Sequence, residues 1–367
     1  MGDRSFIAAG VLLFLRVPSC PLWLFLVSGV FLCVSVVKSG LQFSPMGVAR
    51  SHIRSLDITR FRKLLLRWYA THQRRLPWRG QTDPYRILVS EIMLQQTRVA
   101  VVEDRYEKFL RQFPSVRVLA RAREQTVLAA WSGLGYYRRA RALHAAAKQV
   151  LRQGRFPCTP AELQALPGVG RYTANAVASI AFAEPVPVVD GNVQRVLHRL
   201  LGRPLSLEGC WRAAEKLLDA RRPGDFNQAM MELGALVCLP GAPHCARCPV
   251  TALCASRGAR HKPKQARRRK SVLNYVLARR NGSVLLQQRA ASSSLMPGMW
   301  ELPAAEPSNG NQTPILKLRH SITTTDYSVL VFSAKGHCNS AARWIPLRKA
   351  EKLPLTGLAR KILLLRP

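Results

Sequence analysis

The chain has 367 residues, enough for two or three domains with cores of their own. Lys and Arg number 56 against 20 acids, and a net charge of +36 repels itself unless it faces a polyanion, so nucleic acid is the natural partner. Of nine cysteines four sit in one short stretch and five (Cys20, Cys33, Cys158, Cys210, Cys338) are scattered, which argues against a secreted disulfide framework and fits a reducing compartment.

Residues 1–50 differ from the rest. Phe6 to Leu15 is one apolar run, and after Arg16 and a Pro-Ser-Cys-Pro break a second extends from Pro21 to Val37. The first has the length of a signal-peptide core and the second lies at the short limit of a membrane span. Met46 stands just before the folded part, so a translation start placed too early explains the segment as well. We treat 1–50 as an extension outside the working fold, with a membrane contact only if the extension is real.

From Asp57 the pattern is helical. Asp57 can cap a helix whose face carries Phe61, Leu64, Leu65 and Trp68, with Pro77 stopping the run. Asp83-Pro84 starts a second helix, with proline where a missing N–H costs nothing, and that helix carries Glu91 about two turns in. Further helices are predicted over Val101–Phe113, Arg123–Ser132, Arg138–Gln153, Pro160–Ala165, Tyr172–Ala183 and Asn192–Leu201. An apolar helix-like run leads to the cysteine-rich stretch. Residues 259–270 are too charged to bury and read as a basic linker. Beyond them, β-like runs at Val272–Ala278, Ser283–Gln288 and Tyr327–Ala334 imply a smaller domain with a sheet over 271–367.

Three motifs carry chemistry. Cys238, Cys245, Cys248 and Cys254 are spaced C-x6-C-x2-C-x5-C, close enough for four sulfurs to converge on an iron–sulfur cluster or a tetrahedral zinc. In LPGVGRYTANAV, Leu166 to Val177, Gly168 and Gly170 flank a turn between helices where main chain can approach a ligand and N–H groups can hold a phosphate. A plain helical corner is the alternative. In VPVVDGNVQRVL, Asp190 is either an N-cap or a catalytic acid.

Together the hairpin, the aspartate and the four-cysteine loop resemble the helix-hairpin-helix base-excision DNA glycosylases, over residues 57–258. That resemblance implies an all-α, two-lobed domain with a [4Fe–4S] cluster on the four cysteines at 238–254. Bifunctional endonuclease III-type members carry a lysine after GVGR that attacks the sugar; Tyr172 stands there in this chain. PWR (Pro77 to Arg79), SEIMLQQT (Ser90 to Thr97) and WSGLGYYRRA (Trp131 to Ala140) look like the MutY-type adenine DNA glycosylases.

The family resemblance assigns the roles. Glu91 would give a proton to the leaving base and Asp190 would stabilise the cationic sugar, a division of labour parallel to that of glycosidases. Tyr172 and Asn192 would hydrogen-bond this machinery and Gln228 would help hold the adenine. Arg79 counts among the DNA contacts through PWR, as do Gly168 and Gly170 through the hairpin. Gln96, Thr97, Leu134 and Tyr136 would contact the opposite base or wedge the duplex once the adenine is extruded; core packing is the alternative for Tyr136. Arg138, Arg139 and Arg141 would contact phosphate.

GSVLLQQRAASSSLMPGMWELPAAE, Gly282 to Glu306, resembles the opening of a MutT-like (Nudix) fold, but the acidic helix that binds magnesium does not follow. The expectation is a small α+β domain that reads 8-oxoguanine, with Ser321 as candidate contact and His320 behind it. The expected substrate is double-stranded DNA with adenine opposite 8-oxoguanine or guanine, and no small molecule. The expected state is a monomer, cytoplasmic and nucleoid-associated. Two other readings remain open: an endonuclease III-like glycosylase/lyase on oxidised pyrimidines, and a catalytically silent iron–sulfur DNA-binding protein.

Overall fold

The structure, a computed structural model, describes residues 56–257, 268–290, 292–293, 296–305, 313–322, 324–333 and 341–365. The apolar runs of 1–50 and residues 259–267 of the basic linker lie outside the described residues, while Arg269 and Lys270, expected in that linker, belong to a strand. Among the described residues no helix is long and apolar enough to cross a membrane.

Local chemistry starts the helices. Asp57 accepts the amide of Arg60 at 2.8 Å and opens α1 (Ile58–His72). Asp83 accepts the amide of Tyr85 at 2.9 Å ahead of α2 (Pro84–Leu94), with Pro84 in the first turn. There follow α3 (Val99–Gln112), α4 (Val116–Arg121), α5 (Glu124–Ala130), α6 (Arg138–Gln153) and α7 (Pro160–Gln164). Thr159 and Glu162 form a reciprocal capping box at α7. Then come α8 (Arg171–Ala181), α9 (Gly191–Leu200), α10 (Leu207–Leu217) and α11 (Pro223–Leu236).

One boundary departs from expectation. α1 ends at His72, well before Pro77, because the next amide but one is taken elsewhere: Arg74 N–H donates to the buried Glu232 carboxylate at 2.9 Å. The chain leaves the helix to reach an ion pair rather than to avoid a proline.

The helices bury their apolar faces in two separate cores. One gathers α2 to α8 around Trp131, Phe109, Tyr106 and Met93. The other joins α1 to α9, α10 and α11 around Phe61, Leu197, Trp211 and Phe226. Each large apolar side chain so buried contributes roughly 1.5–3 kcal/mol. The chain therefore crosses between lobes twice, at 73–83 and at 182–190, and a cleft lies between them.

The C-terminal part is α+β. β1 (Arg269–Leu277) runs parallel to β6 (Thr325–Ser333), which pairs antiparallel with β5 (Leu316–Ile322). In a second sheet β3 (Ser283–Gln288) pairs with β2 (Arg279–Arg280), β4 (Trp300–Glu301) and β7 (Ala342–Pro346). After the short α12 (Leu347–Ala350), α13 (Gly357–Leu365) lays Leu358 and Ile362 on a core with Val284, Leu286, Val329 and Val331. This unit docks on α6. Met299 is fully buried in the core of the α2 to α8 lobe, Tyr137 donates its hydroxyl to Leu355 O at 3.1 Å, and Arg141 donates to Pro297 O at 2.6 Å.

Candidate active site

α2 is buried on almost every face, with Ile87, Leu88, Val89, Ile92 and Met93 inside the first lobe. Glu91 points from this helix into the cleft, 6% exposed, and its Oε2 has no hydrogen-bond partner. Burial pushes its carboxyl up to about 7; the neighbouring Tyr172 hydroxyl and the Arg79 guanidinium pull it down, and Asp190 pushes it further up. A carboxyl so placed holds its proton to near-neutral pH.

Asp190 comes from the other lobe, as the N-cap of α9. Its Oδ1 accepts the amide of Val193 at 2.7 Å and its Oδ2 accepts from Asn192 Nδ2 at 3.0 Å. The capping alternative is thus realised, in a side chain that also faces the cleft. Asn192 is braced in turn by Arg195, which donates to Asn192 Oδ1 at 2.7 Å, to Gly234 O at 2.9 Å and to Cys238 O at 2.7 Å. A Cβ on Gly234 would lie 2.6 Å from Asn192 Cβ, so only glycine lets α9 and α11 come this close.

Glu91, Tyr172, Asp190, Asn192 and Gln228 line one cavity of about 240 Å³, larger than the roughly 150 Å³ that holds benzene in an engineered protein core. Tyr172 donates to Met231 Sδ at 3.2 Å, and burial keeps its hydroxyl protonated. The floor is a polar layer. Arg79 donates to Gln228 Oε1 and, at 2.9 Å, to Glu232 Oε2, and Arg74 grips the same carboxylate through Nε and its terminal nitrogen at 2.8 and 2.9 Å. Burial opposes charge on Glu232, yet these donors hold its carboxyl below the ordinary range. Sequence reasoning missed Glu232, Arg74 and Arg195. Glu232 had a signal: it lies four residues after Gln228, on the same face of the helix.

The candidate DNA contacts fare unequally. Gln96 and Tyr136 both adopt left-handed backbone, with φ of 55° and 47°, at the two corners that face each other across Thr97, whose hydroxyl donates to Leu134 O at 3.3 Å. Leu134 itself is 4% exposed and packs in the first lobe's core, so its side chain is not presented to a duplex in this conformation. Arg139 is not a surface cation either. It is 6% exposed and donates to the carbonyls of Ile92, Met93, Gln95, Leu134 and Gly135 and to Thr97 Oγ1, tying the end of α2 to the 131–137 loop. Arg141 is engaged by Glu124 at 2.9 Å and by Pro297 O. Arg138 alone of the three is exposed.

In the hairpin turn, Gly168 has φ of +74° and a Cβ there would meet Ala142 Cβ at 2.4 Å, so packing against α6 requires a glycine here. Gly170 caps α8 with no side chain over the exposed helix start. Ser321 and His320 lie on β5, opposite Asp326 and Tyr327. The Ser321 hydroxyl donates to Asp326 Oδ1 at 2.6 Å, and with Arg268 it lowers that carboxyl.

The four clustered cysteines share one neighbourhood. Burial pushes the Cys248 thiol up to about 11, with Cys254, Cys238 and Cys245 close enough to add to the effect. Buried Arg199 donates to Cys238 Sγ at 3.3 Å, and its carbonyl accepts from Cys254 Sγ at 3.4 Å. No three His, Cys, Asp or Glu side chains among the described residues converge as single-ion ligands.

Residues 89–206 match the HhH-GPD superfamily base excision DNA repair protein family. A solved thermostable thymine-DNA glycosylase is 31% identical with a TM-score of 0.52, covering 55% of this chain and 96% of that one. Among curated proteins, the adenine DNA glycosylase of Mus musculus is 47% identical over 215 residues, 54% of this chain and 42% of that protein. The human adenine DNA glycosylase is 46% identical over 218 residues, 55% of this chain and 40% of that protein, and that of Schizosaccharomyces pombe 42% over 229. The chain thus spans less than half the length of these relatives.

Proposed function

We propose that this protein is a monofunctional adenine DNA glycosylase that hydrolyses the N-glycosidic bond of adenine opposite 8-oxoguanine, or opposite guanine, in duplex DNA. The observation that carries the reading is the buried Glu91 with an unpartnered Oε2, in one cavity with Asp190. The adenine, extruded from the stack, enters the cleft and meets the floor of Gln228, Arg79 and Glu232. Glu91 gives its proton to the leaving base. Asp190, braced by Asn192, stabilises the positive sugar directly or through a transient covalent bond until water completes the hydrolysis. Tyr172 brings no amine, so no Schiff base forms at this position. Similarity to curated adenine DNA glycosylases supports the choice of base.

The thiols of Cys238, Cys245, Cys248 and Cys254 fit a [4Fe–4S] cluster by donor chemistry, by partial burial and by the Arg199 cation at their side. Such a cluster takes Cys thiolates as its ligands. When bound, it cross-links the 238–254 loop as structural metals do. For the C-terminal domain we infer a MutT-like reader of the opposite base. Ser321 and His320 are its candidate contacts, and Ser321 would have to exchange Asp326 for the lesion. The working protein is taken as a cytoplasmic, nucleoid-associated monomer.

The test is single-turnover base release from duplexes with adenine opposite 8-oxoguanine, guanine or thymine, with borohydride trapping alongside. Release opposite 8-oxoguanine and guanine but not thymine, without a trapped adduct, is expected. A strong adduct would return the endonuclease III-like reading, and no release from cluster-loaded protein would leave a DNA-binding scaffold.

A further inference from the structure

The floor of the base cavity is also a wall of a second, larger one. That cavity, about 1040 Å³, opens between the end of α1, the 73–82 segment, the end of α8 and the start of α11. Arg74, Leu76, Arg79, Ile180 and Gln228 line both spaces. Glu91, Thr97, Tyr172, Asp190 and Asn192 line only the first. The second cavity therefore lies behind the floor, away from the groups that meet the sugar.

The partition is built of side chains. Arg79 bridges Gln228 and Glu232, while its Nε is buried without a partner. Opening the wall requires Arg79 to leave Gln228 and the buried Glu232, a rearrangement of side chains rather than of helices. The route beyond the wall suits a polar heterocycle: Gln73, Gln81 and Thr82 offer hydrogen bonds along it.

A glycosylase needs such a route. While the target base is extruded the duplex covers the mouth of the pocket, and once the bond breaks the base is enclosed between DNA and floor. We propose that the cavity behind Arg79 and Gln228 is the exit for the freed purine base, which leaves by the rear while the abasic DNA still occupies the front. This inference rests on the glycosylase reading above.

The experiment uses the full, cluster-loaded chain and a duplex carrying tritiated adenine opposite 8-oxoguanine. After a single turnover, adenine that has left the protein is followed by rapid filtration, and DNA that has left is followed by competitor trapping. Ala70→Trp with Thr82→Trp, both exposed lining positions outside the site, narrows the rear cavity. Adenine is expected to leave the original protein before the DNA does, and the double variant is expected to cleave at the original rate yet release adenine about tenfold more slowly, the factor that about 1.4 kcal/mol of added barrier brings. Adenine leaving only together with DNA in the original protein would overturn the proposal. So would early release that the two tryptophans leave unchanged. Failure of the glycosylase reading looks different, since no free adenine then appears at any time.

Discussion

Besides Glu232, which is tied up in the floor by Arg74 and Arg79, each lobe gives the cleft one carboxylate, and the two are prepared in opposite ways. In the α2 to α8 lobe Glu91 projects from a buried helix with one oxygen unpartnered, and its proton stays on to about pH 7. In the other lobe Asp190 caps α9 with both oxygens accepting hydrogen bonds. Withheld partners make an acid, and supplied partners make a fixed acceptor. The cleft needs both, and neither lobe contains both.

The sharpest way to break this contrast is Glu91→Gln, which keeps the shape and removes the acid. Single-turnover base release should fall by roughly 10²–10⁴-fold while mispair binding in a gel-shift assay persists. Next is Asp190→Asn. Asparagine caps helices as well as aspartate does, so the fold should hold, yet release should fall by roughly 10²–10³-fold with the loss of the negative charge. Equal loss of binding and release would mean that Asp190 is structural only.

The contrast also predicts a stability effect of unusual sign. The Glu91 carboxyl is raised from 4.5 to about 7, so its contribution is fully present below about 4.5 and is lost as pH rises through about 7. Above that, the buried carboxylate weakens the fold by something on the order of 3 kcal/mol. Glu91→Gln should therefore match the original protein at about pH 4 and exceed it in Tm by a margin that opens up to about pH 8 in calorimetry. A constant margin would mean that Glu91 is already ionised. Smaller still is Gly168→Ala, where the left-handed backbone and the 2.4 Å approach to Ala142 should cost about 1–3 kcal/mol. Its denaturation midpoint should drop with little change in the base-release rate of protein that is still folded.

Most of the helical domain could be read from the chain, because its signals are local. Caps at Asp57, Asp83 and Thr159 and the apolar periodicity between them mark starts and faces, and α6 falls on its expected bounds, Arg138–Gln153. α4 and α10 escaped notice. Each is opened by a lone serine, Ser115 or Ser206, a residue equally at home in turns. In the C-terminal domain β5 was missed although Lys317, Arg319 and Ser321 alternate with the apolar positions as in a strand, because His320 interrupts the apolar face, while β3 matched on Ser283–Gln288. At the site, Glu91 and Asp190 were legible through motif context. The burial of Arg139 was not. Its six acceptors are mainly carbonyls, which every residue carries, so nothing in the local sequence separates it from the exposed Arg138 beside it.

The measurement that bears most directly on the account is the pH dependence of single-turnover adenine release opposite 8-oxoguanine. With Glu91 as proton donor, the rate should hold steady below about pH 7 and fall about tenfold per unit above it, and Glu91→Gln should abolish that limb along with most of the rate. A rate that stays level well above pH 7, or the same falling limb in the glutamine variant, would contradict it.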